Sequence, residues 1–343
     1  MPPSLQVGYR YSHTIGFYAQ IGRGFNNPVD VALDRDGVLY VVNRAGADIA
    51  IRMPYKRVTR CTVHADYLGD ISTGGTADGQ IMWPVAIALD QEEHIYISDE
   101  ALQRISIFNK QGDFLGKWGV PGHGPGAFDR PAGITFDPDG HLLVVDSGNN
   151  RVQKYTKDGQ FLGMWGRGGH GPGELHMPWG IATDQAGHVY VADWRNDRIQ
   201  KFDAHGKPVA SWGTSGQHDG EFHRPSGVAV DRDGNIFVAD WGNERVQILA
   251  PDGSWQATLR GEAGLSKWAD SYFIANQDEL EARQQANLEP PLDLAPEDER
   301  RETSASIEKL FWGPVSVKVD DQGRLYVVES CRHRIQVYRQ DRS

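Results

Sequence analysis

Six proline-anchored copies of one four-strand pattern predict an all-β fold: a six-bladed β-propeller of four-stranded antiparallel blades, closed by its N-terminal strand. The first observation is the period. Pro84, Pro131, Pro178 and Pro225 stand 47 residues apart, Pro28 precedes Pro84 by 56, and Pro314 follows Pro225 by 89. A four-strand unit at that spacing is how a propeller reads in sequence. The second is turn chemistry: the chain holds 40 glycines and 18 prolines, which favours all-β. The third is the last copy. From Pro314 it has three strands, and "IGFYAQIG" at residues 15–22 matches the missing fourth, "GQFLGMWG". That pairing removes two open sheet edges.

Within one copy, "PAGITFDPDGHLLVVDSGNNRVQKYTKDGQFLGMWG" holds four apolar runs separated by "DPDG", "SGNN" and "KDG". Gly140 and Gly159 sit where hairpin turns need positive φ. The first three runs are too continuously apolar for one-sided strands, as expected of strands covered on both faces.

An acid ends the second run and an Arg opens the third at Asp99/Arg104, Asp146/Arg151, Asp193/Arg198, Asp240/Arg245 and Glu329/Arg334. Five uses in six blades point to a structural fastener held by directional hydrogen bonds rather than to catalysis. Blade one departs: Asn43 and Asp48 take the two positions, which is either drift or a surface released for another use. Trp118, Trp165 and Trp212 end fourth strands as inter-blade wedges, with Ile21, Ile71 and Leu259 in the other blades. Phe25, Ile81, Phe128, Leu175, Phe222 and Phe311, each three before a proline, form a packing slot. The loops "GVPGHGPG" and "GRGGHGPG" lack the strand-to-helix setting of a phosphate cradle. His123, His170, His176 and His223 read as turn residues.

These units, above all Asp146, Asn149 and Arg151 with their counterparts Asp193, Asn196, Arg198 and Asp240, Asn243, Arg245, resemble NHL repeats, whose family forms six-bladed propellers. The resemblance covers nearly all of the chain outside residues 262–310. It includes peptidyl-hydroxyglycine amidating lyases, where mouth-level histidines hold zinc, and it adjoins gluconolactonase-like enzymes, where Asn and Asp help hold calcium. Here the residues after the prolines are Val29, Val85, Ala132, Trp179, Ser226 and Val315, so neither ligand set is present and no metal or other cofactor is expected. The family includes enzymes, RNA binders and interaction modules, so fold alone assigns no function.

Composition narrows the field. The formal net charge of -11 argues against nucleic-acid binding. The basic stretch "IRMPYKRVTR" (Arg52, Lys56, Arg57, Arg60) either pairs with the acidic insertion of another copy or is solvated. Two cysteines, Cys61 and Cys331, make no disulfide framework or zinc spacing. With no leader-like N-terminus and no apolar run near about 18 residues, the expected location is the cytoplasm, away from membranes.

What is unrepeated carries the functional expectation. Trp179, Trp194 and Trp241, with Arg195, should gather at one mouth of the channel and favour planar or apolar ligands; alternatively each Trp only covers a neighbouring loop. The insertion 262–310 lies between blades five and six. Ser266 is a candidate N-cap for "KWADSYFIANQDELEARQQANL", with Trp268, Tyr272 and Phe273 on one edge. Pro290 and Pro291 break this helix, and a second starts near Pro296. Residues 270–302 hold ten acidic and three basic residues. The insertion is either a helical cap over the mouth, a solvated hairpin on blade six, or an oligomer contact. One domain, 1–343, is therefore expected to bind a small molecule or peptide through Trp179, Trp194, Arg195, Trp241, Trp268 and Tyr272. The alternative is a lyase or hydrolase at the same mouth, with Asp30, Arg44, Glu100, Arg195 and Tyr272 as polar candidates.

Overall fold

A computed structural model describes residues 8–46, 55–292 and 299–341. Six four-stranded antiparallel sheets form the ring. Their first strands are Pro28–Leu33, Pro84–Leu89, Pro131–Phe136, Ile181–Thr183, Pro225–Val230 and Pro314–Val319. Neighbouring first strands pack on one another around the axis, and the buried apolar clusters fill the gaps between blades. Covered on both faces, the second strands are buried along almost their whole length, and entirely so in Leu142–Asp146 and Ile236–Asp240.

The ring closes through the N-terminal strand, six residues earlier than the motif match places it. Tyr9–Ile15 pairs antiparallel with Arg334–Gln340, ending at Ile15 opposite Ile335. Ile15, not Ile21, therefore holds the wedge position. Ile15 is fully buried and Ile21 is 68 % exposed. The reliable spacing is from wedge to slot: Trp118 to Phe128, Trp165 to Leu175, Trp212 to Phe222 and Ile15 to Phe25 are each ten residues.

The fastener is confirmed in four blades and revised in two. The ion pairs Asp146–Arg151, Asp193–Arg198, Asp240–Arg245 and Glu329–Arg334 span 2.6–2.8 Å and are nearly inaccessible to water. In all four the acid also binds a third-strand Gln, and in blades three, four and five the turn Asn as well, as Asp146 does with Asn149 (2.8 Å) and Gln153 (3.0 Å). The Arg reaches carbonyls of the loop from the preceding blade: Arg151 donates to His123, Gly124 and Ala127. In blade two, Asp99 instead accepts backbone N–H bonds from Met82, Trp83, Ala101 and Leu102. Arg104 turns to the carbonyls of Thr76, Ala77 and Gln80.

In blade one the Arg position is Arg57, which pairs across the sheet with Asn43. Asp48 lies outside the described residues, as does Arg52. The longer loop between Asn43 and Arg57 explains why Pro28 stands 56 rather than 47 residues from Pro84. Asn43 still accepts the Asn26 N–H (2.8 Å), and the carboxylate facing Arg57 comes from the fourth strand, Asp70 at 3.2 Å.

Between blades five and six lie helices α1 (Lys267–Ala275), α2 (Gln277–Gln285) and α3 (Glu299–Ser306). Ser266 caps α1 by accepting the Ala269 N–H. The single long helix expected at 266–288 is broken at Asn276, whose φ of -131° and ψ of 66° are not helical. Pro296 lies outside the described residues. No helix is long and apolar enough to cross a membrane among the described residues.

Candidate functional site

Two sets of loops meet at one end of the channel: those entering the first strands and those joining second to third strands. The residues after the anchoring prolines ring this mouth. Just below it the channel is closed to a cavity of about 30 Å³, room for a single water. Small residues permit that closure. A Cβ on Gly133 would stand 2.5 Å from the Trp179 carbonyl oxygen, and one on Gly180 would stand 2.6 Å from that of Ser226. On the other side Asp30, 3 % exposed, fills the axis. It accepts the Ser316 hydroxyl at 2.6 Å and the Ile87 N–H at 3.0 Å, and Lys318 lies 3.5 Å away. Asp30 is thus sunk beneath the mouth, committed to joining three blades.

The mouth ring offers one hydroxyl, Ser226, which donates to the Val315 carbonyl oxygen. With four aliphatic residues and a Trp beside it, the ring has no donor set that fits zinc or calcium. Two groups of acids with a His occur among the described residues, Asp90/Glu92/His94 and Asp137/Asp139/His141. Both lie in first-to-second-strand turns at the opposite end. There Asp90 accepts the His94 N–H and also pairs with its ring.

Around the ring, arginines stack on tryptophans. Arg44 lies 5.3 Å from the Trp83 ring centre, Arg301 5.3 Å from Trp241, and Arg332 5.8 Å from Trp312. Trp194 carries two, Arg195 at 5.5 Å and Arg224 at 5.1 Å. Trp194 and Trp241 each begin the short 3₁₀ turn after a fastener Asp, and Arg224 precedes Pro225, so the fastener aims these side chains at the mouth. Trp83, Arg224, Arg301 and Trp312 were not foreseen as part of this set. For Trp83, Arg224 and Trp312, their position within two residues of an anchoring proline was the available signal.

The other expected residues part company. Arg44 and Glu100 form an ion pair at 2.7 Å. Trp179 is half-buried against the cluster between blades three and four. Trp268 is not at the mouth. It is 2 % exposed in the seam between blades six and one, where its indole N–H donates to the Ala65 carbonyl oxygen at 2.6 Å. Tyr272 packs on Phe17 and donates to Glu279 of α2, at the rim. The insertion does not roof the channel with its described residues. Helix α3 covers the turns of blades five and six: Arg300 reaches Asn243 (3.2 Å), and Arg301 reaches Glu244 (3.1 Å). A groove of about 1010 Å³ runs beside α3, lined by His223, Arg260 and Trp312 among others.

Sequence reasoning also missed a latch between blades. In four blades the left-handed residue closing the turn accepts the N–H just before the next anchoring proline. Asn150 binds Met177, Asp197 binds Arg224, Glu244 binds Gly313, and His333 binds Asn27, at 2.6–3.0 Å. Glu244 is 4 % exposed, and burial pushes its carboxyl up to about 7, against the pull of the Gly313 N–H and Arg301.

A family model for the NHL repeat matches residues 128–155, 175–202, 222–249 and 311–338. These are the four blades with the complete acid–Arg–Gln fastener. No curated protein matches the chain. Among solved structures, a streptogramin B lyase is 11 % identical, with a TM-score of 0.56, covering 97 % of this chain and 98 % of its own. The virginiamycin B lyase of Staphylococcus aureus is 10 % identical, with a TM-score of 0.56 and coverage of 97 % and 99 %. A Bacteroides thetaiotaomicron protein of unknown function is 16 % identical, with a TM-score of 0.62 and coverage of 97 % and 76 %. At such identities the likeness is one of fold. The chain is a six-bladed β-propeller that carries NHL repeats in four of its blades.

Proposed function

We propose that this propeller binds a small molecule or peptide at the mouth of its channel. The observation behind this reading is the half-exposed aromatic set, Trp179, Trp194 and Trp241, with Arg195, Arg224 and Arg301 stacked among them, over a channel too narrow to pass a solute. Flat aromatic faces with fixed cations suit planar groups. The mouth gathers arginines although the chain as a whole carries -11. The test is a thermal-shift screen of small molecules and short peptides. True ligands lose at least about tenfold in affinity in W179A or W194A, which is 1.4 kcal/mol or more. Hits indifferent to every mouth substitution count against the reading.

A second reading is a lyase or hydrolase at this mouth. It draws on Glu244, whose carboxyl near neutrality has the range a general acid or base needs. The lyases that share the fold add only that the scaffold accommodates such chemistry. Turnover that E244Q abolishes without loss of ligand binding would favour this reading over the first.

A further inference from the structure

The stacked arginines of the mouth differ in where their N–H groups go. Arg44, on Trp83, donates to Glu100 at 2.7 Å. Arg301, on Trp241, donates to Glu244 at 3.1 Å. Arg332, on Trp312, is spent on the carbonyls of Ser304, Ile307 and Leu310. Arg195 and Arg224, both on Trp194, are exposed, and neither guanidinium has a hydrogen-bond acceptor or ion-pair partner among the described residues. Asp197, two residues after Arg195, is turned to the backbone N–H of Arg224 (2.7 Å). Elsewhere the protein pairs its cations readily: Lys110 alone meets Asp34, Asp36 and Glu93.

A guanidinium presents a planar fork of N–H donors, and on Arg195 and Arg224 that fork is exposed. That fork matches the two oxygens of a carboxylate or phosphate, with charge-assisted bonds. Two such groups lie at one indole, 5.5 and 5.1 Å from its centre. The fastener Asp193–Arg198 fixes the turn that carries Trp194 and Arg195, and Asp197 fixes the backbone that carries Arg224. The backbone that carries the three side chains is therefore fixed, which lowers the entropic cost of binding.

We infer that Trp194, Arg195 and Arg224 form an oxyanion-binding clamp at the blade four–five quadrant of the mouth, for a ligand that carries a carboxylate or phosphate beside a planar apolar group. This rests on the mouth-binding reading and narrows its ligand class. In contrast, the cations on Trp83, Trp241 and Trp312 are already neutralised or saturated and serve to hold the mouth's own loops.

Isothermal titration with three probes of one shape tests it: 2-naphthoate, 2-naphthyl phosphate and the neutral 2-naphthamide. The expected result is saturable binding of at least one anion, tighter than the amide by tenfold or more, and weakened at least fivefold by raising salt from 0.05 to 0.5 M. The relative affinities of the two anions say whether carboxylate or phosphate is preferred. R195Q and R224Q should each remove most of the anion preference while leaving the amide unchanged, and W194A should weaken all three. Both Arg sites are exposed, so folding should be preserved, and circular dichroism checks this. Equal binding of amide and anions would overturn the clamp while leaving the mouth reading intact. So would anion binding that survives the R195Q/R224Q double variant. Absence of binding by all three probes would also overturn it, and the mouth reading would then stand or fall on its own screen with W179A.

Discussion

The seams wedged by a repeat tryptophan differ from the seam that closes the ring. Between blades two and three, three and four, and four and five, the wedge is the Trp that ends the preceding blade's fourth strand. Trp118 packs on Tyr155 and Phe128 at 4.7 and 6.1 Å, and Trp165 on Phe202 at 6.3 Å. Each sits over a turn glycine: a Cβ on Gly159, Gly206 or Gly253 would collide with Trp118, Trp165 or Trp212. The closing seam, between blades six and one, lacks both large partners. Ile15 stands at the wedge position, and Cys61 stands where blade three has Tyr155. Trp268, from α1 of the insertion, fills the volume. It meets Phe25 edge-on at 5.3 Å and bonds the Ala65 carbonyl, as Trp212 bonds that of Asp252 at 2.9 Å.

The insertion supplies what this seam lacks. It brings a wedge from outside the repeat to the one seam that the chain must close between its two ends. With α1 and α2 anchored at that rim and α3 over blades five and six, the axis of the mouth stays clear among the described residues.

The largest expected effect is at that borrowed wedge. W268A should cost about 3–5 kcal/mol in urea unfolding, the range for a buried aromatic removed from a core. W165A should cost less, because Trp165 is only half-buried. Equal losses would erase the distinction between the seams.

Next is the pH dependence of the α3 contact. Burial raises the Glu244 carboxyl from the ordinary glutamate range to about 7. Its folded pKa lies above its unfolded one. The associated stability is therefore fully present below the unfolded value and is lost as pH rises through about 7. Relative to E244Q, the wild type should lose up to about 3 kcal/mol between pH 4 and pH 8. Parallel stability curves for the two proteins over that range would contradict this.

A smaller effect sharpens the comparison. C61Y restores the repeat's aromatic, but the space is taken by Trp268, so it should destabilise by about 1–3 kcal/mol. In a W268A background the same change should cost less, with coupling read from the double-mutant cycle. The smallest is S266A. Losing the N-cap of α1 should cost about 1 kcal/mol, seen as a shift of the thermal midpoint.

The repeat made the fold legible, since six prolines, the acid–Arg pairs and the slot residues recur at fixed offsets. The errors fall where a copy departs from its siblings. The Gly that ends "IGFYAQIG" drew the closing strand six residues too late, although the ten-residue step from Ile15 to Phe25 marks the right place. Asp48 was matched at a fixed offset, but blade one's loop is longer and its carboxylate, Asp70, comes from another strand. Trp194, Arg195 and Trp241 could be placed because they follow the fastener. Trp268 could not, because helical spacing gives a face and says nothing of which seam that face meets. The inter-blade latch escaped notice because Asn150, Asp197, Glu244 and His333 share a backbone conformation and an acceptor atom, with no common residue type.

Trp268 packs in one buried cluster with Ile15 of the closing strand and so clamps it. Hydrogen exchange of W268A against wild type under native conditions tests it most directly. Protection should fall first and furthest in Tyr9–Ile15 and its partner Arg334–Gln340, while the strands of blades three and four keep theirs. Unchanged protection in Tyr9–Ile15, or a uniform loss across all six blades, would contradict it.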